Sequence, residues 1–115
     1  MKTVEINGSI YNVDDRLGGF DVQQKPSSNV DFFGADGNGG MFFQFKPKKT
    51  GIANTYIFSG IPVDVYREAY TCESIGTFFS ANIRGKYESV KFDTALVVDT
   101  ALVVGQVDRK EANHG

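Results

Sequence analysis

Alternating apolar and polar residues predict two groups of β-strands in the first half of the chain. Residues 3–13 alternate around Asn7-Gly8, the dipeptide that best tolerates the left-handed positions of a type I′ turn, and therefore predict a β-hairpin. A short strand is predicted within residues 19–25, before Pro26, which lacks a ladder donor. Gly-rich and Lys-rich turns separate the next three apolar runs, which predict an antiparallel meander of strands at residues 29–34, 41–45 and 55–58.

The spacing of apolar residues becomes helical after Pro62. Val65 and Ala69 are four residues apart, and Pro62 suits the first turn of a helix. A second helix is predicted from Ser74, as its N-cap, to a stop near Gly85. The predicted fold class is therefore α+β, with one antiparallel sheet, made of the N-terminal hairpin plus the meander, packed against two short helices.

The C-terminal segment contains an unchanged six-residue repeat. Asp-Thr-Ala-Leu-Val-Val occupies residues 93–98 and again residues 99–104. Because six is a multiple of two, a strand would keep the repeated residues on one face, and the β-branched valines also favour a strand. Residues 89–115 are thus predicted to be a β extension. The repeat is either a recent duplication with little function or an exposed apolar strand that pairs between subunits.

Composition narrows the possible functions. A chain of 115 residues makes one domain, and its net charge of -2 argues against coating nucleic acid through bulk charge. The single Cys72 excludes an internal disulfide. One His near the end cannot complete a zinc site or readily activate a nucleophile, so neither a bound metal nor an enzymatic function is expected. No signal peptide or membrane span is visible, which predicts a cytoplasmic protein.

Three residues of the second predicted helix region combine the chemistry needed to hold a nucleotide. Phe78 and Asn82 share a helical face, and Arg84 carries the planar fork that matches a phosphate. We therefore predict that Phe78, Asn82 and Arg84 bind a ligand, whereas Phe79 and Ile83 belong to the core. Two alternatives remain open. At least one of Phe78 and Phe79 simply packs under the sheet, and Arg84 forms only a surface ion pair.

Two further arginines are candidate ligand-binding residues. Arg16 precedes Gly18-Gly19 in a predicted loop whose backbone donors could face an anion. Arg109 lies near the C-terminus, where it could hold a ligand bound by a neighbouring subunit. The alternative for Arg16 is a solvated loop residue, and the alternative for Arg109 is a residue of a solvated tail.

Residues 27–88 combine three motifs. They are Ser27-Ser28-Asn29-Val30, the segment Tyr-Ile-Phe-Ser-Gly-Ile-Pro at residues 56–62 with Val65-Tyr66 after it, and Ser-Ile-Gly-Thr-Phe-Phe-Ser-Ala-Asn-Ile-Arg at residues 74–84. This set resembles the KTSC domain family, a module named for its position at the C-terminus of some lysyl-tRNA synthetases and also found alone in bacteria and phages. Ser80 and Phe58 replace an Asn and a Tyr that are usual in the family. The resemblance implies a single domain with a core at 27–88, an N-terminal hairpin extension at 1–26 and a C-terminal extension at 89–115.

The order of strands and helices also resembles the first family of phage anti-Thoeris proteins. Those oligomeric proteins hold cyclised ADP-ribose isomers and cyclic oligonucleotides without cleaving them. The resemblance implies a phage-type immune-evasion protein that sequesters such a nucleotide-derived signal at the subunit interfaces of a homo-oligomer, without a cofactor. The alternatives are an RNA-associated accessory module, which the acidic pI near 5.3 disfavours, and a structural protein-interaction domain.

Overall fold

The computed structural model describes residues 2–51 and 53–100, which form seven β-strands and two α-helices. The α+β class predicted from the sequence is confirmed. The chain divides into two compact units. One contains Gly19–Ala95, and the other combines Met1–Gly18 with the chain from Leu96 onward.

The unit that includes the N-terminus contains the predicted hairpin. Strands β1 (Lys2–Ile6) and β2 (Ser9–Val13) pair antiparallel, and Asn7 and Gly8 between them have φ values of 52° and 83°. The type of turn expected from Asn-Gly requires both of these left-handed conformations. Strand β7 (Val97–Asp99) pairs with the other edge of β2, so the hairpin belongs to its own three-stranded sheet instead of extending the meander.

The unit at Gly19–Ala95 contains a four-stranded antiparallel sheet whose strands follow chain order. Its first three strands are the predicted meander, and the fourth comes from the segment after the helices. The strands are β3 (Val30–Ala35), β4 (Met41–Phe45), β5 (Thr55–Phe58) and β6 (Ser89–Phe92). The strand predicted within residues 19–25 is reduced to an isolated bridge between Gln23 and Phe33.

Both helices cover one face of this sheet with an aromatic core. Helix α1 (Val63–Thr71) contributes the buried Ala69, and its Tyr70 hydroxyl accepts a hydrogen bond from the backbone N–H of Ala35 at 3.0 Å. Helix α2 (Ile75–Asn82) places the ring of Phe79 4.8 Å from that of Phe43, edge to face. Offset and edge-on aromatic pairs of this kind add specific stabilisation to the area that they bury.

The start of α2 is fixed by the predicted cap. The Ser74 hydroxyl accepts a hydrogen bond from the N–H of Thr77 at 3.2 Å, which satisfies one of the free donors of the first helical turn. Ser74→Ala removes this acceptor and is expected to lower the free energy of unfolding by about 1 kcal/mol. Urea denaturation measures the change. Ser74→Asp, which keeps a capping oxygen, should be close to wild type, and equal losses in both variants would contradict a capping role.

The repeat takes two different structures where it is described. Its first copy contains the bend at residues 93–94 and the beginning of β7, while only Asp99 and Thr100 of the second copy are described. The Thr100 hydroxyl donates to the backbone oxygen of Ile10 at 2.8 Å. The remainder of the second copy lies outside the described residues, so pairing between subunits through this segment stays a prediction.

Candidate ligand-binding pocket

A pocket of about 630 Å³ lies in the unit at Gly19–Ala95, on the face of the sheet that also carries α2. Five aromatic residues line it, namely Tyr87 and four whose rings contact one another, which we call the aromatic floor: Phe45, Tyr56, Phe58 and Phe79. Each ring of the floor contacts at least one other, with centroids 5.0 Å apart for Phe45 and Phe79 and 5.8 Å apart for Phe58 and Phe79. The pocket is therefore built on a packed part of the core.

Strand alternation explains how β5 contributes to the pocket. Neighbouring residues of an extended chain point to opposite faces, so Asn54, Tyr56 and Phe58 share one face, and all three line the pocket. Phe58 is buried, whereas Tyr56 and the neighbouring Phe45 are only partly buried. These partly buried rings offer planar apolar surface to a guest molecule.

The rim of the pocket is positively charged. Lys46, Lys48 and Arg84 line it, and none of the described residues that line it is acidic. The Lys46 ammonium donates a hydrogen bond to the backbone oxygen of Ser27 at 2.6 Å, which fixes it beside the start of β3. These cations attract an anion to the pocket.

Arg84 combines a fixed backbone with an available guanidinium group. Its N–H donates to the oxygen of Phe79 at 2.9 Å just beyond the end of α2, and Gly85 next to it has a φ of 75°, so the chain turns away from the helix there. The Arg84 side chain is exposed. In the described part of the chain it has no hydrogen bond or ion pair. The predicted surface ion pair is thus not formed with any described residue.

Of the four sequence-predicted site residues that the structure describes, Arg84 lines this pocket, whereas Phe78, Asn82 and Arg16 do not. Phe78 is 4 % exposed and belongs to the core cluster, so the alternative that this Phe packs in the core is the one observed. Asn82 donates its side-chain N–H to the backbone oxygen of Phe78 at 3.3 Å, one turn back. Phe79, which the sequence placed in the core, is also buried but lines the pocket.

The two remaining arginines lie elsewhere. Arg16 is in the 3₁₀ turn at Asp15–Leu17 in the unit that holds the hairpin, where its guanidinium forms an ion pair of 2.9 Å with Asp14. The backbone N–H of Arg16, together with its side chain, lowers the pKa of the Asp14 carboxyl. Arg109 lies outside the described residues, so its predicted role in a ligand clamp stays a prediction.

Asp31 on β3 is an acidic group whose ionisation is affected by burial. Burial raises the pKa of its carboxyl above 3.8, although a hydrogen bond from Gln24 and the charge of Lys46 oppose the shift. The folded state then holds the proton more tightly than the unfolded state, so stability falls as the pH rises from 3.8 through the folded pKa.

Asp31→Asn imitates the protonated carboxyl at every pH and retains an oxygen for Gln24. We expect the variant to be more stable than wild type at pH 7, with the two unfolding free energies converging below pH 3.8. Urea titrations at about pH 3, 5 and 7 measure the difference across this range. A difference that stays constant with pH would show that the carboxyl charge is not its cause.

Within residues 2–51 and 53–100, no group of three or more His, Cys, Asp or Glu side chains is placed to hold a metal ion. None of the helices formed by these residues is both long and apolar enough to cross a membrane.

Comparison with solved structures relates the fold to a known module. The crystal structure of the KTSC domain protein YPO2434 from Yersinia pestis superimposes with a TM-score of 0.53 at 28% sequence identity, over 64% of this chain and 97% of that chain. Searches of protein families and of curated proteins find no match. The protein therefore has a KTSC-like fold, which supports the resemblance seen in residues 27–88.

Proposed function

We propose that the protein binds a nucleotide-derived small molecule in this pocket and holds it without cleaving it. The observation that carries the proposal is the position of an aromatic floor beside a rim that has three cations and, among the described lining residues, no carboxylate. A nucleotide presents the complementary pair of groups, a planar ring and a phosphate. Sequestration of a cyclic ADP-ribose isomer or a cyclic dinucleotide would be one form of this function.

The aromatic floor supports the ring-binding part of the proposal. Tyr56 and Phe45 are held edge to face, with their centroids 5.7 Å apart, so their orientation is fixed before a ligand arrives. Stacking of a base on an aromatic side chain contributes about 1–3 kcal/mol. Rings that are already ordered lose little conformational entropy on binding, so most of this energy can appear as affinity.

Size and charge support the phosphate-binding part. A volume of about 630 Å³ lies within the range of pockets that enclose small ligands, roughly 300–1,000 Å³. Arg84 can donate two parallel hydrogen bonds to a phosphate, and Lys48 adds a second charge from the loop after β4. Since one chain supplies every lining residue, the proposed binding does not require the subunit interface expected from the anti-Thoeris resemblance.

Isothermal titration calorimetry with a panel of ligands tests the proposal. AMP, cyclic ADP-ribose, cyclic di-AMP and a short single-stranded RNA are each titrated into the purified protein. Bound ligand is then released by heat and identified by mass spectrometry. Saturable binding of a small nucleotide that is recovered unchanged supports the proposal. Binding of the RNA alone, a chemically altered ligand, or no heat with any of them would each overturn it.

A further inference from the structure

A buried amide without a partner stands out at the edge of the aromatic floor. Asn54 is 8 % exposed, yet its side chain has no hydrogen bond within the described part of the chain. Side-chain N and O atoms that are fully enclosed there all have partners, so both amide atoms of Asn54 retain contact with solvent. Because Asn54 lines the pocket, we infer that its amide opens onto the pocket.

The backbone holds this amide in a fixed place. The Asn54 oxygen accepts a hydrogen bond from the N–H of Phe45 at 2.8 Å, which continues the pairing of β4 and β5 by one step. Asn54 therefore lies across from Phe45, one ring of the floor, and on the same face as Tyr56, and Lys46, the residue after Phe45, also lines the pocket. An amide at the edge of an aromatic surface is positioned to meet the edge of a ring that stacks there.

The Asn54 side chain keeps only slight contact with solvent and has no partner in the described part of the chain, so part of its hydrogen bonding to water is lost without replacement, which costs free energy. The cost is offset if a ligand supplies the missing bonds. A carboxamide offers one acceptor and one donor side by side, and the matching partner is a ring edge with an adjacent donor and acceptor. Nucleobases carry such edges, and Asn pairs in this manner with the amino group and ring nitrogen of adenine.

We propose that Asn54 recognises the hydrogen-bonding edge of the base, and that it makes the pocket select nucleobases over rings that lack an adjacent donor and acceptor. This inference rests on the proposed nucleotide-binding function. It assigns Asn54 to specificity and Arg84 to the phosphate, so the two residues act on opposite parts of one ligand. Base identity and phosphate number then become separable in binding measurements.

The test compares two nucleotides that differ by one amino group. AMP and purine riboside 5′-monophosphate have the same phosphate and a similar ring, but the second lacks the 6-amino donor. We expect wild type to bind AMP about tenfold more tightly, the size of effect that one good base contact gives. Asn54→Leu should bind both nucleotides with similar affinity. Asn38→Leu, a change in an exposed turn away from the pocket, serves as the matched control and should retain the preference.

The outcomes separate this inference from the proposed function. Equal affinity of wild type for the two nucleotides would overturn the role of Asn54 while leaving nucleotide binding intact, and this comparison does not depend on how any variant folds. A preference that survives in Asn54→Leu would also overturn it, provided that thermal unfolding shows the variant to be folded. If wild type binds neither these two nucleotides nor any small nucleotide of the calorimetric panel, both proposals are wrong.

Discussion

Gly34→Ala is expected to lower the free energy of unfolding by about 3 kcal/mol or more, at the upper end of what overpacking costs. Gly34 is the penultimate residue of β3, and a Cβ atom built there would collide with the backbone oxygen of Asp21. It would also lie 2.7 Å from the carbonyl carbon of Asp21 and 3.1 Å from the ring of Phe42. These neighbours are a backbone and a buried ring, so neither can yield cheaply.

Hydrogen bonds explain why the Asp21 segment cannot move away. The N–H of Asp21 donates to the oxygen of Ala35 at 2.9 Å, and Gln23 exchanges hydrogen bonds of 2.8 and 3.0 Å with Phe33. Both flanks of Gly34 are thus tied to the same segment. Room for a methyl group would come only from breaking one of these bonds or bending β3, and each costs free energy.

Urea denaturation of Gly34→Ala and Gly19→Ala measures the effect. Gly19 belongs to the same unit, and a Cβ atom added to it would meet no other atom within 4 Å. Gly19 also does not need a left-handed conformation, so its replacement controls for the loss of glycine itself. We expect Gly19→Ala to be close to wild type or slightly more stable. If both variants unfold at the same urea concentration, the close approach at Gly34 is not a constraint on stability.

Local sequence signals predicted the elements that depend on a few neighbouring residues. Asn7-Gly8 fixed the hairpin because few other dipeptides accept two positive φ values, and Ser74 marked the start of α2 because its hydroxyl bonds within the same turn. Contacts between distant segments were not predictable in this manner. The pairing of β2 with β7, and of β5 with β6, joins strands that are far apart along the chain.

In the candidate site, too, residue type predicted some of the residues, whereas others depend on how distant segments pack. Arg84 was identified from its residue type, since a guanidinium near aromatic residues suits a phosphate wherever the fold places it. Which face of α2 lines the pocket could not be predicted from the sequence, because Phe78 and Phe79 are adjacent and both are buried. Only the packed structure shows that Phe79 reaches the pocket. Asn54 and Tyr56 were missed, although their alternation with Phe58 along β5 was the available signal.

Arg84→Ala is expected to weaken the binding of AMP about 10- to 100-fold, because a hydrogen bond to a charged group contributes about 1.5–3 kcal/mol. Stability should change little, since the Arg84 side chain is exposed and has no hydrogen bond or ion pair in the described part of the chain. A loss of affinity without a loss of stability distinguishes a ligand-binding residue from a structural one. It also follows that the difference between wild type and variant should shrink as salt screens the charge.

Calorimetry at low and high salt, together with urea denaturation, measures both quantities. Arg67→Ala removes the same charge from an exposed position on α1 that does not line the pocket, so the two variants have the same net charge. We expect Arg67→Ala to bind AMP as wild type does. Long-range attraction depends on the sum of charges, whereas a bidentate hydrogen bond depends on one side chain. Equal losses of affinity in the two variants would therefore mean that the overall charge of the protein, and not a phosphate contact of Arg84, attracts the ligand.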